Sequence, residues 1–332
     1  PMLQIGGMQL FKAEAFDTPD KILPRAAQIS GSLTAVFLVL TGLCAAAYGI
    51  AGMQISDAVM HAMTTVATGG FSSRDASIGA FGSPAIEWVS VIFMIGGSLP
   101  FLLYVRAIQG QPFGLIRDEQ VRAFFMILLM LTALAWLSED QESVLAGAIR
   151  FREAVFNMTS IMTGTGFASV DYNTWGPLAS GVFLAAMFIG GCAGSTSCGM
   201  KVFRVVVLFE DIRQHARRIV YPSGVFVKRY NGRPLSDNVS AAVLSFVFLF
   251  LASFAVISVA LSLIGLDPVT AISGAATAIS NVGPGLGPII GPAGNFQPLP
   301  DAAKWLLALA MLIGRLEVFT VLVLFIPTFW RR

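Results

Sequence analysis

Residues 64–73 read TTVATGGFSS, residues 160–169 read SIMTGTGFAS, and residues 278–287 read AISNVGPGLG. The three stretches align on Gly70, Gly166 and Gly283, about 100 residues apart, and recurrence of this kind marks a repeated structural unit. The order around each anchor is the same: a long apolar helix, a shorter and moderately apolar segment, the glycine signature, and a second long helix. The expected elements are 30–53, 56–66 and 84–105 in unit A, 122–137, 143–161 and 176–209 in unit B, and 239–264, 268–279 and 302–325 in unit C. The short segments, of roughly 11 to 19 residues, are marginal or too short beside the ~20 that cross a bilayer as a helix. Each ends at glycine and hydroxyl residues, so each is expected to enter the membrane, stop, and return as irregular backbone.

The composition agrees. Of 332 residues, 55% are hydrophobic and 12% charged, where a soluble domain carries about 25% charged. Runs free of Asp, Glu, Lys and Arg cover residues 26–56, 88–105, 123–138, 172–200 and 238–266. The fold class expected is an all-α polytopic membrane protein made of tandem helix–short-segment–helix units. Cys44, Cys192 and Cys198 lie inside apolar segments, which argues against a disulfide framework. The sequence holds only two histidines, far apart and away from the cysteines, so a zinc site is not expected. The opening PMLQIGGMQLF shows no signal-peptide pattern and reads as the end of an earlier hydrophobic element.

Charge orients the units. Placing all three signatures on one side leaves residues 1–29, 106–122, 201–238 and the tail after 327 on the other. Those segments hold 16 of the 21 Lys and Arg but only 8 of the 19 Asp and Glu. By the positive-inside rule they are cytoplasmic, and the short segments enter from outside.

Irregular backbone at membrane depth is tolerated where it is buried in protein or lines a watery cavity. Three like-oriented re-entrant loops suggest a ring around an axis, the arrangement of carbonyl-lined cation filters. Glycine permits the backbone angles that turn carbonyls toward the axis. Each short helix would point its partially negative C-terminal end inward, favouring a cation. Thr68 and Ser72 would either line this path or bond locally. The other reading of the glycines is helix packing.

The combination of IGGMQLFKAEA, ATGGFSS, TGTGFAS, GGCAGSTSCGMK, SNVGPGLGP and IGRLE resembles the TrkH branch of the Trk/Ktr/HKT potassium transporter superfamily over essentially the whole chain. The resemblance implies four tandem helix–pore-helix–helix units in a pseudo-fourfold arrangement around a potassium filter that keeps chiefly one glycine per unit. Carried onto this sequence, the filter strands are residues 68–72, 164–168 and 281–285. The ion-lining positions would be Thr68, Gly69, Gly70, Gly164, Thr165, Gly166, Asn281, Val282 and Gly283. Only three units are found. On this reading residues 1–29 hold the end of a missing first unit and a cytoplasmic linker, and 30–105, 106–209 and 239–332 are the second to fourth pore units. Residues 210–238 form a further cytoplasmic linker.

The stretch GGCAGSTSCGMK, residues 190–201, is not a P-loop: Met200 displaces the lysine, no hydroxyl follows it, and the flanks are apolar. Residues 176–209 are too long for one straight crossing. Either the helix kinks at packed small residues, or residues 190–198 unwind into a polar loop on the pathway below the filter. The resemblance implies the latter, an intramembrane gate formed by Gly190, Gly191, Gly194, Ser195, Thr196, Ser197, Gly199 and Lys201. Arg315 in the last apolar stretch would be costly facing lipid and is expected inside the bundle. It is there either as an anchor to backbone carbonyls or, as the resemblance implies, as a fixed positive charge beside the gate. Glu317, two residues on, points elsewhere.

His61 is expected to pack rather than ligate, and Trp136, Trp175, Trp305 and Trp330 suit interfacial anchoring. No phosphorylation site, P-loop or metal cluster supports an enzyme or an ATP-driven pump. The basic linker lacks a nucleic-acid pattern and suits lipid headgroups or a regulatory subunit. The resemblance adds potassium as the ion with no organic cofactor, a cytoplasmic nucleotide-binding subunit resembling TrkA, a homodimer, and a bacterial inner-membrane location. A sodium- or proton-coupled symporter of similar architecture and a non-transporting membrane scaffold remain the alternatives.

Overall fold

A computed structural model describes residues 26–138 and 144–316. The element expected in residues 1–25, Glu317, Trp330 and the last helix beyond 316 lie outside the described residues.

Unit A comprises α1 (Ala26–Ile50), α2 (Ile55–Val66), a 3-10 turn at Ser77–Phe81, α3 (Pro84–Ser98) and α4 (Phe101–Ile108). Unit B comprises α5 (Glu119–Trp136), α6 (Val144–Met162), α7 (Gly176–Phe188) and α8 (Val202–Val220). A hairpin, β1 (Arg229–Tyr230) and β2 (Arg233–Pro234), precedes unit C, which holds α9 (Asp237–Leu263), α10 (Pro268–Ser280) and α11 (Asp301–Arg315). Among the described helices, Ser30–Ile50, Glu119–Trp136 and Asp237–Leu263 are long and apolar enough to cross a membrane. The 12 residues of α2 and 13 of α10 rise only about 18–20 Å, well short of the ~30 Å hydrocarbon core.

Two long helices differ from expectation. Residues 84–105, read as one helix, form two that meet at 91°. Pro100 supplies no N–H, and it holds Leu99 extended at ψ 155°, so the helix stops at Ser98 and restarts at Phe101. The break in 176–209 spans residues 189–201, wider than 190–198, and α8 runs through residue 209 to Val220 before Pro222 stops it. It continues because Val202, Phe203, Val207 and Gln214 keep one face buried.

The core lies between units as much as within them. Tyr48, Ala62 and Met94 of unit A pack with Phe156 and Phe167 of unit B. The Tyr48 hydroxyl joins three helices of unit A, meeting the Thr65 hydroxyl at 2.8 Å and donating to Ser90 at 2.9 Å. The Gly79 N–H donates to the Ala168 carbonyl at 3.1 Å, tying the outer turn of unit A to unit B. Trp175, expected at an interface, is instead core: it is buried against Phe183, with ring centroids 5.9 Å apart. Outward faces of α1 and α9 expose Leu38, Val39, Phe248 and Val256, as lipid-facing helices do.

Candidate functional site

Each short helix ends in the same local device. In α2 the Thr64 carbonyl accepts the Gly69 N–H at 2.7 Å; in α6 Ser160 accepts from Thr165 at 2.9 Å; in α10 Thr277 accepts from Val282 at 2.9 Å. The hydroxyls of the same three residues bind the returning strand. Thr64 donates to the Phe71 carbonyl at 2.8 Å, Ser160 donates to the Phe167 carbonyl at 2.6 Å, and Thr277 accepts the Gly283 N–H at 2.9 Å. These three hydroxyls were missed by sequence reasoning, although one stands six positions before every anchor glycine.

The strands share a backbone pattern as well. Positive φ occurs at Thr68 and Gly70 (48° and 66°), at Gly164 and Gly166 (71° and 82°), and at Asn281 and Gly283 (54° and 114°). The middle residues Gly69, Thr165 and Val282 are not among the positive-φ positions. Alternating the hand of φ turns successive peptide units the same way. Their N–H groups face back onto the short helices. In a trans peptide the carbonyl points opposite to the N–H, so the carbonyls of Thr68, Gly164 and Asn281 face away from those helices. Among the described residues, no donor reaches the carbonyl oxygens of residues 68–70, 164–166 or 281–283.

The three tips touch in sequence. A Cβ at Gly70 would overlap the Thr165 carbonyl oxygen, and a Cβ at Gly166 would overlap the Val282 carbonyl oxygen. Thr165 and Val282 both immediately precede an anchor glycine, so one contact relates tip A to B and tip B to C. Repeated head-to-tail contacts generate an arc about a common axis. At Gly283 a Cβ would meet the Gly166 Cα at 3.7 Å, an ordinary van der Waals contact, so the overlap is not repeated there among the described residues.

The residues around the tips act as struts. His61 is buried and packed as expected: its ring lies edge-on to Phe81, and Nε2 meets the Ser72 hydroxyl at 2.9 Å. In unit B, Asn157 plays this part, bonding the Ser169 hydroxyl and N–H at 2.9 and 3.2 Å. The Thr68 hydroxyl donates to the neighbouring Ala67 carbonyl at 2.8 Å, a local bond. Asn281 caps α10 in the left-handed conformation and reaches the Met311 carbonyl of α11 at 3.0 Å. No cluster of His, Cys, Asp and Glu able to hold a metal occurs among the described residues.

The loop 189–201 crosses beneath these tips. The backbone N–H of Cys198 would lie 3.8 Å from a Cβ on Gly164. The helix break at Leu99–Pro100 receives the loop: Cys192 N–H donates to Ser98, Thr196 N–H to Gly97, and Gly194 accepts from Phe101, at 2.9, 3.2 and 3.0 Å. The Thr196 hydroxyl bonds the Val66 carbonyl at the end of α2 at 2.9 Å, and the Ser197 and Ser98 hydroxyls meet at 2.8 Å. The Ser195 hydroxyl turns inward to Cys192 at 2.6 Å. Gly190 and Gly191 are packed where a Cβ would strike Cys198 and Ser197, while Gly194 and Gly199 take positive φ. Arg315 donates to the Cys198 Sγ and, at 3.5 Å, to the Thr196 carbonyl. Both residues, with Lys201, Phe246 and Phe250, line a cavity of about 190 Å³. Arg315 therefore meets the loop itself, 117 residues away in sequence.

This arrangement defines a class: an integral membrane protein of tandem helix–short helix–helix units, with unpaired carbonyls gathered at the short-helix tips. The chain belongs to the TrkH family of cation transport proteins, whose model matches residues 1–332; it is a transporter family, not an enzyme family. The chain is 47% identical over 333 residues to the Trk system potassium uptake protein TrkI of Halomonas elongata, covering 100% of this chain and 68% of that protein. It is 36% identical over 338 residues to TrkH of Escherichia coli strain K12, covering 100% of this chain and 69% of that one. The crystal structure of the potassium transporter TrkH from Vibrio parahaemolyticus matches with a TM-score of 0.86 at 36% identity, over 93% of this chain and 66% of that chain. The chain thus spans about two-thirds of the length of these relatives.

Proposed function

We propose that the protein takes up potassium across the bacterial cytoplasmic membrane. Residues 68–70, 164–166 and 281–283 line the ion path, and the loop 189–201 gates it. The observation that carries this reading is the set of tip carbonyls without a donor on three repeat-related strands. Carbonyls at membrane depth need a partner, and a dehydrated alkali cation is the partner that a convergent set of dipoles selects. Arg315 beside the loop adds a fixed positive charge that raises the barrier to a cation. Potassium enters as substrate, supported by the names of the relatives. Those names also speak of a Trk system, so we include a cytoplasmic nucleotide-binding regulatory subunit resembling TrkA and a homodimeric assembly in the proposal.

A ligand that binds the folded state raises its stability by mass action. Potassium should therefore raise the thermal midpoint of the detergent-solubilised protein more than sodium at the same concentration. In proteoliposomes at set membrane potentials, potassium flux should exceed sodium flux. Equal shifts together with equal fluxes would refute the potassium reading.

A further inference from the structure

The cytoplasmic hairpin is joined to the loop 189–201 by a continuous path of contacts. Asn231 and Gly232, with φ of 48° and 76°, form the two-residue turn between β1 and β2. From that turn the Asn231 side chain clamps the start of α5. Its Oδ1 accepts the Glu119 N–H at 2.8 Å, and its Nδ2 donates to Asp118 Oδ2 at 2.9 Å. The other oxygen of Asp118 caps α5, accepting the N–H groups of Gln120 and Val121 at 3.0 and 3.2 Å. The Gln120 side chain then leaves the helix and its Oε1 accepts the Ala193 N–H of the loop at 2.9 Å.

The apolar side runs parallel. Tyr230 of β1 meets Phe203 edge-on, with ring centroids 5.0 Å apart. Together with Leu235 it covers a cluster of Ala193, Phe203, Val207, Val239 and Val243. Ala193 therefore sits at the end of both routes. Asp118, Gln120 and Ala193 are all buried, so breaking the Gln120 bond would leave the Ala193 N–H unsatisfied away from water. The start of α5 and the loop are tied to each other by that bond.

We propose that Asn231, Asp118 and Gln120 are positioning residues for the loop, so that docking of the hairpin on α5 sets how far the loop intrudes on the ion path. The inference rests on the reading of the loop as a gate. It assigns a task to the hairpin, which otherwise only connects α8 to α9.

Cys198 is a native reporter of loop position: it is partly exposed and lines the cavity, whereas Cys44 and Cys192 are fully buried. The protein in proteoliposomes is compared with Gln120→Leu, Asn231→Ala and the double variant, measuring thiol labelling of Cys198 and potassium flux. Both single variants should raise both rates about two- to tenfold, the factor corresponding to one hydrogen bond. The double variant should match Gln120→Leu, because the polar contact of Asn231 reaches the loop only through Gln120, while the apolar route through Tyr230 is untouched in all three variants. Wild-type labelling in Asn231→Ala, or independent multiplication of the two effects, overturns the inference. Labelling that rises as expected while flux stays constant overturns the gate reading instead. Should Gln120→Leu not fold, Asn231→Ala at the exposed turn decides the matter alone, with Asn231→Asp as a milder second variant that keeps the Glu119 acceptor and repels Asp118.

Discussion

Replacing Gly166 by alanine tests the tip geometry at one of its two closest contacts. A Cβ there would lie 3.1 Å from both the Val282 carbonyl carbon and the Pro284 Cδ, and would overlap the Val282 oxygen. Because comfortable carbon–carbon contact begins at about 3.5 Å, the Val282 carbonyl must retreat by something on the order of 1 Å. The move pulls on two bonds that fix the strand, Val282 N–H to Thr277 O and Gly283 N–H to the Thr277 hydroxyl, each 2.9 Å. Holding alanine at φ 82° costs a further ~1–2 kcal/mol. Losing one carbonyl from the set proposed to hold a cation would remove about 1.5–3 kcal/mol, the worth of a polar contact to a charge, or roughly ten- to a hundredfold in affinity. The concentration of potassium for half-maximal uptake should rise by that factor, and the potassium-to-sodium flux ratio should fall. Gly181→Ala is the control, since Gly181 lies in α7 with nothing within 4 Å of its Cβ direction. A folded Gly166→Ala protein with wild-type affinity and flux ratio would refute the placement of the ion at these carbonyls.

Other consequences follow from the struts and the loop. Ser160→Ala removes the 2.6 Å bond to Phe167 and should lower stability by about 1 kcal/mol, read as a drop in thermal midpoint with a smaller change in potassium affinity than Gly166→Ala gives. Thr277→Val leaves the Gly283 N–H without its acceptor and should do the same by about 1–3 kcal/mol; unchanged melting in both variants would mean the repeated hydroxyls are incidental. Arg315→Gln removes the positive charge beside Thr196 and Cys198 and should increase potassium flux at saturating concentration, which a proteoliposome assay reads directly. Gly97→Val would press on the Val66 carbonyl and the Thr196 hydroxyl, displacing the loop from its seat, and should speed labelling of Cys198.

The three anchors were legible because their chemistry repeats in the sequence itself: a glycine that takes positive φ recurs after a helix that is too short or only marginally long enough to span. The bend at Pro100 was not, although the proline is plain to see. A proline in a membrane helix can kink it or break it, and what decides is whether other groups satisfy the freed backbone. Here those partners are Cys192, Gly194 and Thr196 of unit B, about 100 residues downstream, and no local pattern announces them. The turn at Asn231–Gly232 carried a hairpin signal, yet it sits in a basic stretch whose charge drew attention to lipid headgroups. Trp175 misled for the opposite reason. Its position near a helix end suits an interfacial anchor, while its neighbours Tyr172 and Phe183 make it core.

The tips and the loop are both irregular backbone at the centre of the molecule, but they are held in opposite ways. Each tip is fastened to its own short helix by bonds between residues five to seven apart, and the same fastening recurs in all three units. Relative movement of helices leaves such bonds intact, so a tip keeps its shape while the bundle shifts around it. The loop ties its own two ends together, with Gly190 N–H donating to Met200 and Val202 N–H to Gly191, but its middle is also bonded to elements far away in sequence. Its partners outside itself include Val66, Gly97, Ser98, Phe101, Gln120 and Arg315, which belong to α2, the α3–α4 bend, α5 and α11, and the tip residue Thr68, whose hydroxyl meets that of Thr196 at 3.4 Å. Any shift among those elements must break or remake a loop contact. On the proposed function, a chain built this way separates the part that would hold an ion at fixed distances from the part that would respond to motion. That division argues that discrimination and control of flux are set by different residues: tip substitutions should change which ion passes, and loop or hairpin substitutions should change how often one passes.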